Sequence, residues 1–430
     1  MSSTVDDVSE GIGGDEPPRP AVVLVAVGTR PLVRVLPADR ELALGRRIEA
    51  AGTALDIDDE RVSRDHATVR FDRGGWVVVD RDSRNGTFLD GARVAGEVRR
   101  RGDCVLRLGH TVFLLVRDAR GYEVPPSSHG DHVVGPELAR LYDQVRRHAA
   151  DPTLLVHGES GSGKELVARL YHAAGPRADG PFVAVNCAAI PEGVAERLLF
   201  GSRKGAFSGA HDAAGYLQSA HGGTLFLDEI ADLDPAVQAK LLRAIEAREV
   251  LPVGATAPIA IELGIVAASH RELRTEVAAK RFRDDLFYRL ARTTLRLPPL
   301  RERKLDIARL VARELAGLDA HPRLVEACCV RPWPGNVREL LGALQLAKHA
   351  AGAANRTLVR AEDLPADAGM PVGDDTPPAR AAIDRDAITA ALERANGVVS
   401  VAARALGLHR TQLYRLMDKH GIARDEREPT

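Results

Sequence analysis

Three blocks of different periodicity predict a multidomain chain: an all-β sandwich, then an α/β domain with a helical lid, then a small all-α domain. The first block repeats with a period near two in short β-branched runs. The second alternates strands with helices and opens on a strand that runs into a glycine loop. The third is short, with apolar residues at helical spacing. At 430 residues the chain is long enough for two or three such domains, each burying its own core.

Residues 1–20 lean acidic (Asp6, Asp7, Glu10, Asp15, Glu16) and end in Pro17, Pro18 and Pro20, which predicts a disordered tail. Residues 21–118 hold the runs VVLVAV, ATVRF, WVVVD and TVFLLV, separated by turn signals at Asp72–Gly75 and Asn85-Gly86. Closely spaced short strands of this kind predict a sandwich. Residues 119–131 contain GYEVPPSSHGD, rich in Pro, Ser and Gly, and read as a linker. Residues 132–306 form the α/β core: TLLVHG leads through a glycine loop into ELVARLYHAA, and TLFLDE precedes PAVQAKLLRAIEA. Residues 307–364 look wholly helical, as a lid would. PADAGMPVGDDTPPAR dominates a second linker over 365–382, and residues 383–425 form the closing helical domain.

The net charge of -1 does not exclude nucleic acid binding, because Arg404, Arg410, Arg415 and Lys419 concentrate positive charge near the C-terminus. The four cysteines, Cys104, Cys187, Cys328 and Cys329, make no CxxC pair and read as reduced thiols. No apolar run approaches the roughly 20 residues of a membrane helix, and the acidic start is no signal peptide. These features predict a cytoplasmic protein with no membrane association.

Gly158-Glu159-Ser160-Gly161-Ser162-Gly163-Lys164 follows a predicted strand and precedes a predicted helix. Glycines in that setting let backbone N–H groups turn inward around phosphate oxygens, and the helix N-terminus adds positive potential. Lys164 supplies a charge to the β- and γ-phosphates. Glu165 stands where the general pattern wants Ser or Thr. In Leu225–Glu229 a strand carries Asp228 to a Mg2+ ion and sets Glu229 to polarise the attacking water. ATP and Mg2+ are the cofactors this pair of elements requires.

These residues, over about Val133 to Leu364, resemble one branch of the AAA+ ATPases, the bacterial enhancer-binding proteins that activate sigma-54 RNA polymerase. The resemblance rests on Lys164-Glu165 ending the phosphate loop and on PFVAVNCAAI, FGSRKGAFSGA, GGTLFLDEI, FRDDLFYRL, LPPLRERKLDI and WPGNVREL in that order. It implies that Gly205, Ala206, Phe207, Ser208, Gly209 and Ala210 form a loop that projects from an oligomeric ring and pushes on sigma-54. It implies that Asn186 is a switch holding Glu229 from water until that loop is engaged. Arg283 and Arg289 resemble arginines that reach a neighbouring subunit's γ-phosphate, and Arg338 resembles a lid arginine that senses nucleotide. Several positions depart from the family pattern: Ser208 for Thr, Leu198 for Glu, Ser202-Arg203 for His-Glu, and His270 for a sensor Asn.

Residues 21–118 resemble a forkhead-associated domain in Gly45-Arg46, Ser63-Arg64-Asp65-His66 and Ser83-Arg84-Asn85-Gly86-Thr87. Reading phosphothreonine needs cationic and hydroxyl donors converging from loops at one end of a sandwich. The resemblance implies that Arg46, Ser63 and Arg64 hold the phosphate, that Arg84 and Asn85 hold the peptide backbone, and that His66 braces the loops. Asn85-Gly86 alone would equally make a plain hairpin turn.

In the last domain, Leu413, Leu416 and Met417 share one helical face, while Arg410, Thr411, Gln412, Arg415 and Lys419 share the other. Two short helices joined at Gly407 suit major-groove readout, and the segment resembles the Fis-type helix-turn-helix. Together the resemblances imply an ATP-hydrolysing transcription activator, dimeric when inactive and hexameric when active. Its partners would be enhancer DNA, sigma-54 polymerase and a phosphothreonine protein or itself. A rival reading is a sigma-54-independent DNA-binding regulator whose AAA+ module only oligomerises.

Overall fold

The computed structural model describes residues 19–27, 30–37, 41–46, 54–120, 122, 133–191, 193–206 and 211–371, with residues 389, 392 and 399. Phe207, Ser208, Gly209 and Ala210 at the tip of the projecting loop lie outside the described residues, and so do Arg410, Thr411, Gln412, Arg415 and Lys419. The chain divides into two compact units, Met1–Met370 and Pro371–Thr430. In the second unit Thr389, Leu392 and Val399 are helical.

The period-two runs fold into two packed sheets. One has six strands in the order Arg30–Pro37, Ala21–Val27, Thr111–Val116, Cys104–Leu108, Thr87–Leu89, Ala92–Arg93. The other has five, Ala54–Asp56, Leu42–Gly45, Ala67–Asp72, Gly75–Asp80 and Glu97–Arg101. Val22, Leu24, Leu106, Phe113 and Leu115 of the first sheet share one core with Leu44, Val69, Trp76 and Val78 of the second. Alternate residues of the first sheet point the other way, and they are buried too. Val23, Val25, Val105, Val112 and Leu114 join a cluster with Leu305, Ile307, Leu324, Cys328 and Leu340 of the lid. Burial on both faces explains why TVFLLV and VVLVAV carry no polar alternation.

The sandwich is therefore docked on the lid and not strung from it by a free linker. At the seam Arg107 Nε donates to Glu326 Oε2 at 2.5 Å, with each residue 6% exposed. Arg107 also donates to the Gly109 carbonyl at 3.1 Å, and its guanidinium lies 4.0 Å from the centroid of the Phe88 ring. The described part of the expected linker contributes as well: Ala119 and Tyr122 are buried in the shared cluster, and the Tyr122 hydroxyl donates to Glu137 at 2.8 Å.

The α/β core has a five-stranded parallel sheet in the order Phe182–Asn186, Thr224–Asp228, Gly264–Ser269, Thr153–His157, Thr294–Arg296. Its carboxyl-terminal edge carries the glycine loop after His157, then Asn186, Asp228 and Ser269, where a parallel sheet presents its ligand crevice. The lid packs the helices Lys304–Glu314, Pro322–Val330 and Asn336–Ala353 together. It is not wholly helical, contrary to the sequence expectation. Asp319–Ala320 pairs in parallel with Leu358–Val359, because backbone entering and leaving the helices beside a buried cluster must find hydrogen-bond partners.

Candidate functional site

Gly161 and Gly163 sit at φ +72° and +109°, left-handed values that favour glycine, and so bend the loop around an open cradle. A Cβ at Gly161 would overlap the Gly335 carbonyl oxygen, so the lid presses directly on the loop. Gly163 starts the helix Lys164–Ala174, whose N-terminus faces the cradle. Ser162 Oγ donates to the Glu159 carbonyl at 2.6 Å and closes the turn. Lys164 is buried at 6% exposure, and its ammonium donates to the Gly158 carbonyl and to Glu229 Oε1, each at 3.0 Å.

The Thr224–Asp228 strand delivers both carboxylates to this cradle. Asp228 Oδ1 lies 4.0 Å from Lys164 Nζ and accepts the Glu229 N–H at 3.1 Å. Burial raises the Asp228 carboxyl above its ordinary pKa, with Lys164 opposing. Glu229 stands at φ +52°, an uncommon conformation for a residue with a side chain, which turns its carboxylate back over the loop. Its Oε2 accepts from the His270 ring Nδ1 at 2.6 Å and the His270 N–H at 3.2 Å. Burial alone would raise the Glu229 pKa, but the bonds from His270 and Lys164 outweigh it and hold the carboxyl below its ordinary value. Glu229 is thus an ionised base held at two points.

The residue expected to act as the switch lies within the site. Asn186 lines the same pocket beside Asp228, its partner in strand register, but its carboxamide oxygen accepts the Ala188 N–H at 3.0 Å. In this structure the bonds to Glu229 Oε2 come from His270 and none comes from Asn186.

Ser160, Gly161, Ser162, Gly163, Lys164 and Glu165 line the pocket with Arg338, Val337 and Leu341 of the lid, while Gly158 and Glu159, also expected to bind nucleotide, are not among its lining residues. The cavity measures about 500 Å³. Three residues to which motif reading gave no role, Asn336, Arg303 and Arg301, bind lid to loop. Asn336, fully buried at φ +54°, donates to Glu159 Oε2 and the Ser160 carbonyl at 3.0 Å each and accepts the Leu300 N–H at 2.7 Å. Arg303 donates to the Ser162 carbonyl at 2.6 Å, while Arg301 grips Glu159 with two bonds of 2.9 and 2.8 Å. The segment LPPLRERKLDI carries the resemblance in sequence, but only the return of the lid over the loop reveals the partners of Arg301 and Arg303. Replacing Asn336 with Ala would leave several buried polar groups unsatisfied at a left-handed residue. A loss of about 2 kcal/mol is expected, measured by denaturant unfolding, with weaker nucleotide binding by titration.

Arg283 and Arg289 do not line this pocket. Arg283 is exposed and paired with Asp285 through bonds of 3.1 and 2.8 Å, and the Arg289 carbonyl accepts the Thr153 hydroxyl at 3.2 Å. Gly205 and Ala206 are exposed or half-buried at the base of the projecting loop, where Gly205 has φ +89° and Lys204 N–H donates to Asp212 at 2.9 Å.

At one end of the sandwich the loops that carry the other expected site are stitched together. Arg46 N–H donates to the Ser63 carbonyl at 2.9 Å, and a Cβ at Gly45 would overlap the Arg64 carbonyl oxygen. His66 is fully buried; its Nδ1 accepts the Ser63 N–H at 3.0 Å and its Nε2 lies 3.3 Å from the Gly86 carbonyl. Ser63 Oγ accepts the Arg84 N–H at 3.2 Å, and Asn85 Nδ2 donates to the Arg61 carbonyl at 2.7 Å. Arg64, Arg84 and Asn85 are exposed around this brace. The buried Nε of Arg46 has no hydrogen-bond partner among the described residues.

Comparison with known proteins follows the same division. Residues 133–296 match the family model described as Sigma-54 interaction domain, 42–109 the FHA domain, and 379–420 the Bacterial regulatory protein, Fis family. The chain is similar to the Transcriptional regulatory protein ZraR of Klebsiella oxytoca, 41% identical over 308 residues covering 68% of this chain and 69% of that protein. It is also 42% identical to the Nif-specific regulatory protein of Azotobacter vinelandii over 66% of this chain and 58% of that protein. Among solved structures, NtrX from Brucella abortus in complex with ATP superposes with a TM-score of 0.51. That match is 30% identical and covers 70% of this chain and 69% of that one. A phosphate loop closed by its lid and a carboxylate pair at the strand ends complete an ATPase-type P-loop fold. On this evidence the chain belongs to the sigma-54-dependent transcriptional regulators, with an FHA domain at its N-terminal end and a Fis-type helix-turn-helix at its C-terminal end.

Proposed function

We propose that this protein activates transcription by hydrolysing ATP at the seams of a homo-oligomeric ring and driving its projecting loops against sigma-54 RNA polymerase. The observation that carries the reading is the Lys164–Glu229–His270 arrangement beneath the lid. Lys164 is bonded to Glu229 Oε1 at 3.0 Å. A γ-phosphate competes for that ammonium, and its arrival frees one carboxylate oxygen to orient water. Entry of the triphosphate thus converts a structural ion pair into a base with a free lone pair. The anion is held by backbone N–H groups of the glycine loop and by Lys164, with Arg338 approaching from the lid.

Asp228 suits the Mg2+ that accompanies ATP, because it offers a hard, half-buried carboxylate at the mouth of the loop. Bound there, the ion would neutralise charge on the phosphate oxygens. Arg283 and Arg289, both away from their own pocket, would complete a neighbour's site; a guanidinium supplied in trans ties turnover to assembly. The Fis-type domain would hold the assembly at enhancer DNA through Arg410, Thr411, Gln412, Arg415 and Lys419. The FHA domain would take a phosphothreonine peptide through Arg46, Ser63, Arg64, Arg84 and Asn85.

Phe207→Ala separates this reading from a regulator that only oligomerises. Truncating an aromatic anchor costs about 2 kcal/mol or more at an interface, about 30-fold in the engaged complex. Open-complex formation with purified sigma-54 polymerase should fall by that order while ATP hydrolysis continues. Equal promoter opening by the variant and the parent chain would sink the sigma-54 assignment.

A further inference from the structure

A cleft of about 450 Å³ runs between the sandwich and the lid. Arg61, Asn85 and His110 line it from the sandwich, and His321, Arg323 and Arg360 line it from the lid. Glu362 adds one carboxylate, and Arg107 at its edge is already matched by Glu326. Among the described residues the guanidinium groups of Arg61, Arg323 and Arg360 have no ion-pair partner. Like charges gathered from two domains into one concavity repel each other unless an anion joins them. The rings of His110 and His321 meet edge to face across the seam at 5.2 Å. Burial holds both rings below the ordinary imidazole pKa, with Arg61 acting further on His110 and His110 and Arg323 on His321. The helix Pro322–Val330 starts at the cleft and directs its positive end toward it.

The place of the cleft decides what fits it. Asn85 lines it and also belongs to the loop group that would hold a peptide backbone beside Ser63 and Arg64. A peptide anchored by phosphate at Arg46, Ser63 and Arg64 and by its backbone at Asn85 runs on past Arg61 into the cleft. A concavity of this volume accepts a few side chains of an extended chain and not the convex backbone of a duplex.

We infer that this cleft binds a second anionic group on the same phosphopeptide, a carboxylate or a further phosphate, and that sandwich and lid read it jointly. The inference rests on the phosphopeptide reading above. It has a consequence for the ATPase. The lid that supplies Arg323 and Arg360 also grips the phosphate loop through Asn336 and Arg303, so peptide and nucleotide affinities are linked reciprocally.

The test uses the full-length chain and fluorescence anisotropy with four labelled peptides. Three carry phosphothreonine followed by a run of Glu, by phosphoserine, or by a run of Ala; the fourth carries unphosphorylated Thr before the Glu run. The double variant R323A/R360A is expected to weaken an anionic-tailed phosphopeptide about tenfold, the order of one charge-assisted hydrogen bond, and to leave the Ala-tailed peptide within about twofold. The tail that loses more names the anion. R46A should weaken every phosphothreonine peptide alike. Equal parent affinity for anionic and Ala tails overturns the cleft and leaves the reader standing. If only unphosphorylated Thr–Glu binds, and R323A/R360A weakens it, the cleft stands and the reader falls. No binding by any peptide overturns both.

Discussion

Glu229→Gln should leave ATP bound and lower its turnover by about 10²–10⁴-fold, the range contributed by a positioned general base. The amide keeps the volume of the carboxylate, but its one oxygen replaces only one of the two that accept from Lys164 and His270, so its NH2 faces a donor and one of the two ties is lost. What it loses is the negative charge that orients and deprotonates water. Binding should be as tight as before or tighter, because the γ-phosphate no longer displaces an anion from the Lys164 ammonium. Phosphate release measures the first effect, and titration with a fluorescent ATP analogue measures the second. Undiminished hydrolysis in the variant would remove Glu229 from the mechanism and leave Lys164 and Asp228 as a binding site only.

Much of this site could be read in sequence because its parts are local. A glycine loop ending in Lys164 and a strand ending in Asp228 and Glu229 each owe their shape to neighbouring residues, so a linear motif carries the geometry. The parallel sheet and the two-sheet sandwich follow for the same reason, from runs whose period shows in a few residues. Partners brought from far along the chain were not legible. Asn336 meets Glu159 across 177 positions, and Arg301 meets the same carboxylate across 142. Which side chain bonds Glu229 here, His270 and not Asn186, likewise depends on side-chain reach at the ends of two strands. One signal of the docked sandwich was present and passed unread. TVFLLV is too apolar for a sheet with a solvated face, and Arg107 in the adjacent strand is the charged exception that the lid neutralises.

That exception yields the second large effect. Glu326→Ala should destabilise the docked arrangement by about 3–5 kcal/mol, the usual consequence of stripping one partner from a buried ion pair. Both side chains are almost wholly withdrawn from water, and Arg107 would keep only the Gly109 carbonyl and the Phe88 ring for company. The charge sits at a seam, so it has an escape that a core charge lacks: the sandwich can lift from the lid and let Arg107 hydrate. The expected signature is therefore separation, with the sandwich and the ATPase melting in two transitions where the parent chain shows one, and with faster proteolysis between residues 119 and 133. Arg107→Met combined with Glu326→Leu restores an apolar match of similar volume and should recover most of the loss. The double variant thereby distinguishes an unmatched charge from a missing side chain. An unaltered melting profile for Glu326→Ala would mean that the apolar faces alone hold the two domains together. In that case the lid and sandwich would still move as one body. The chemical choice of arginine and glutamate at the seam would then have to be explained by what binds beside it.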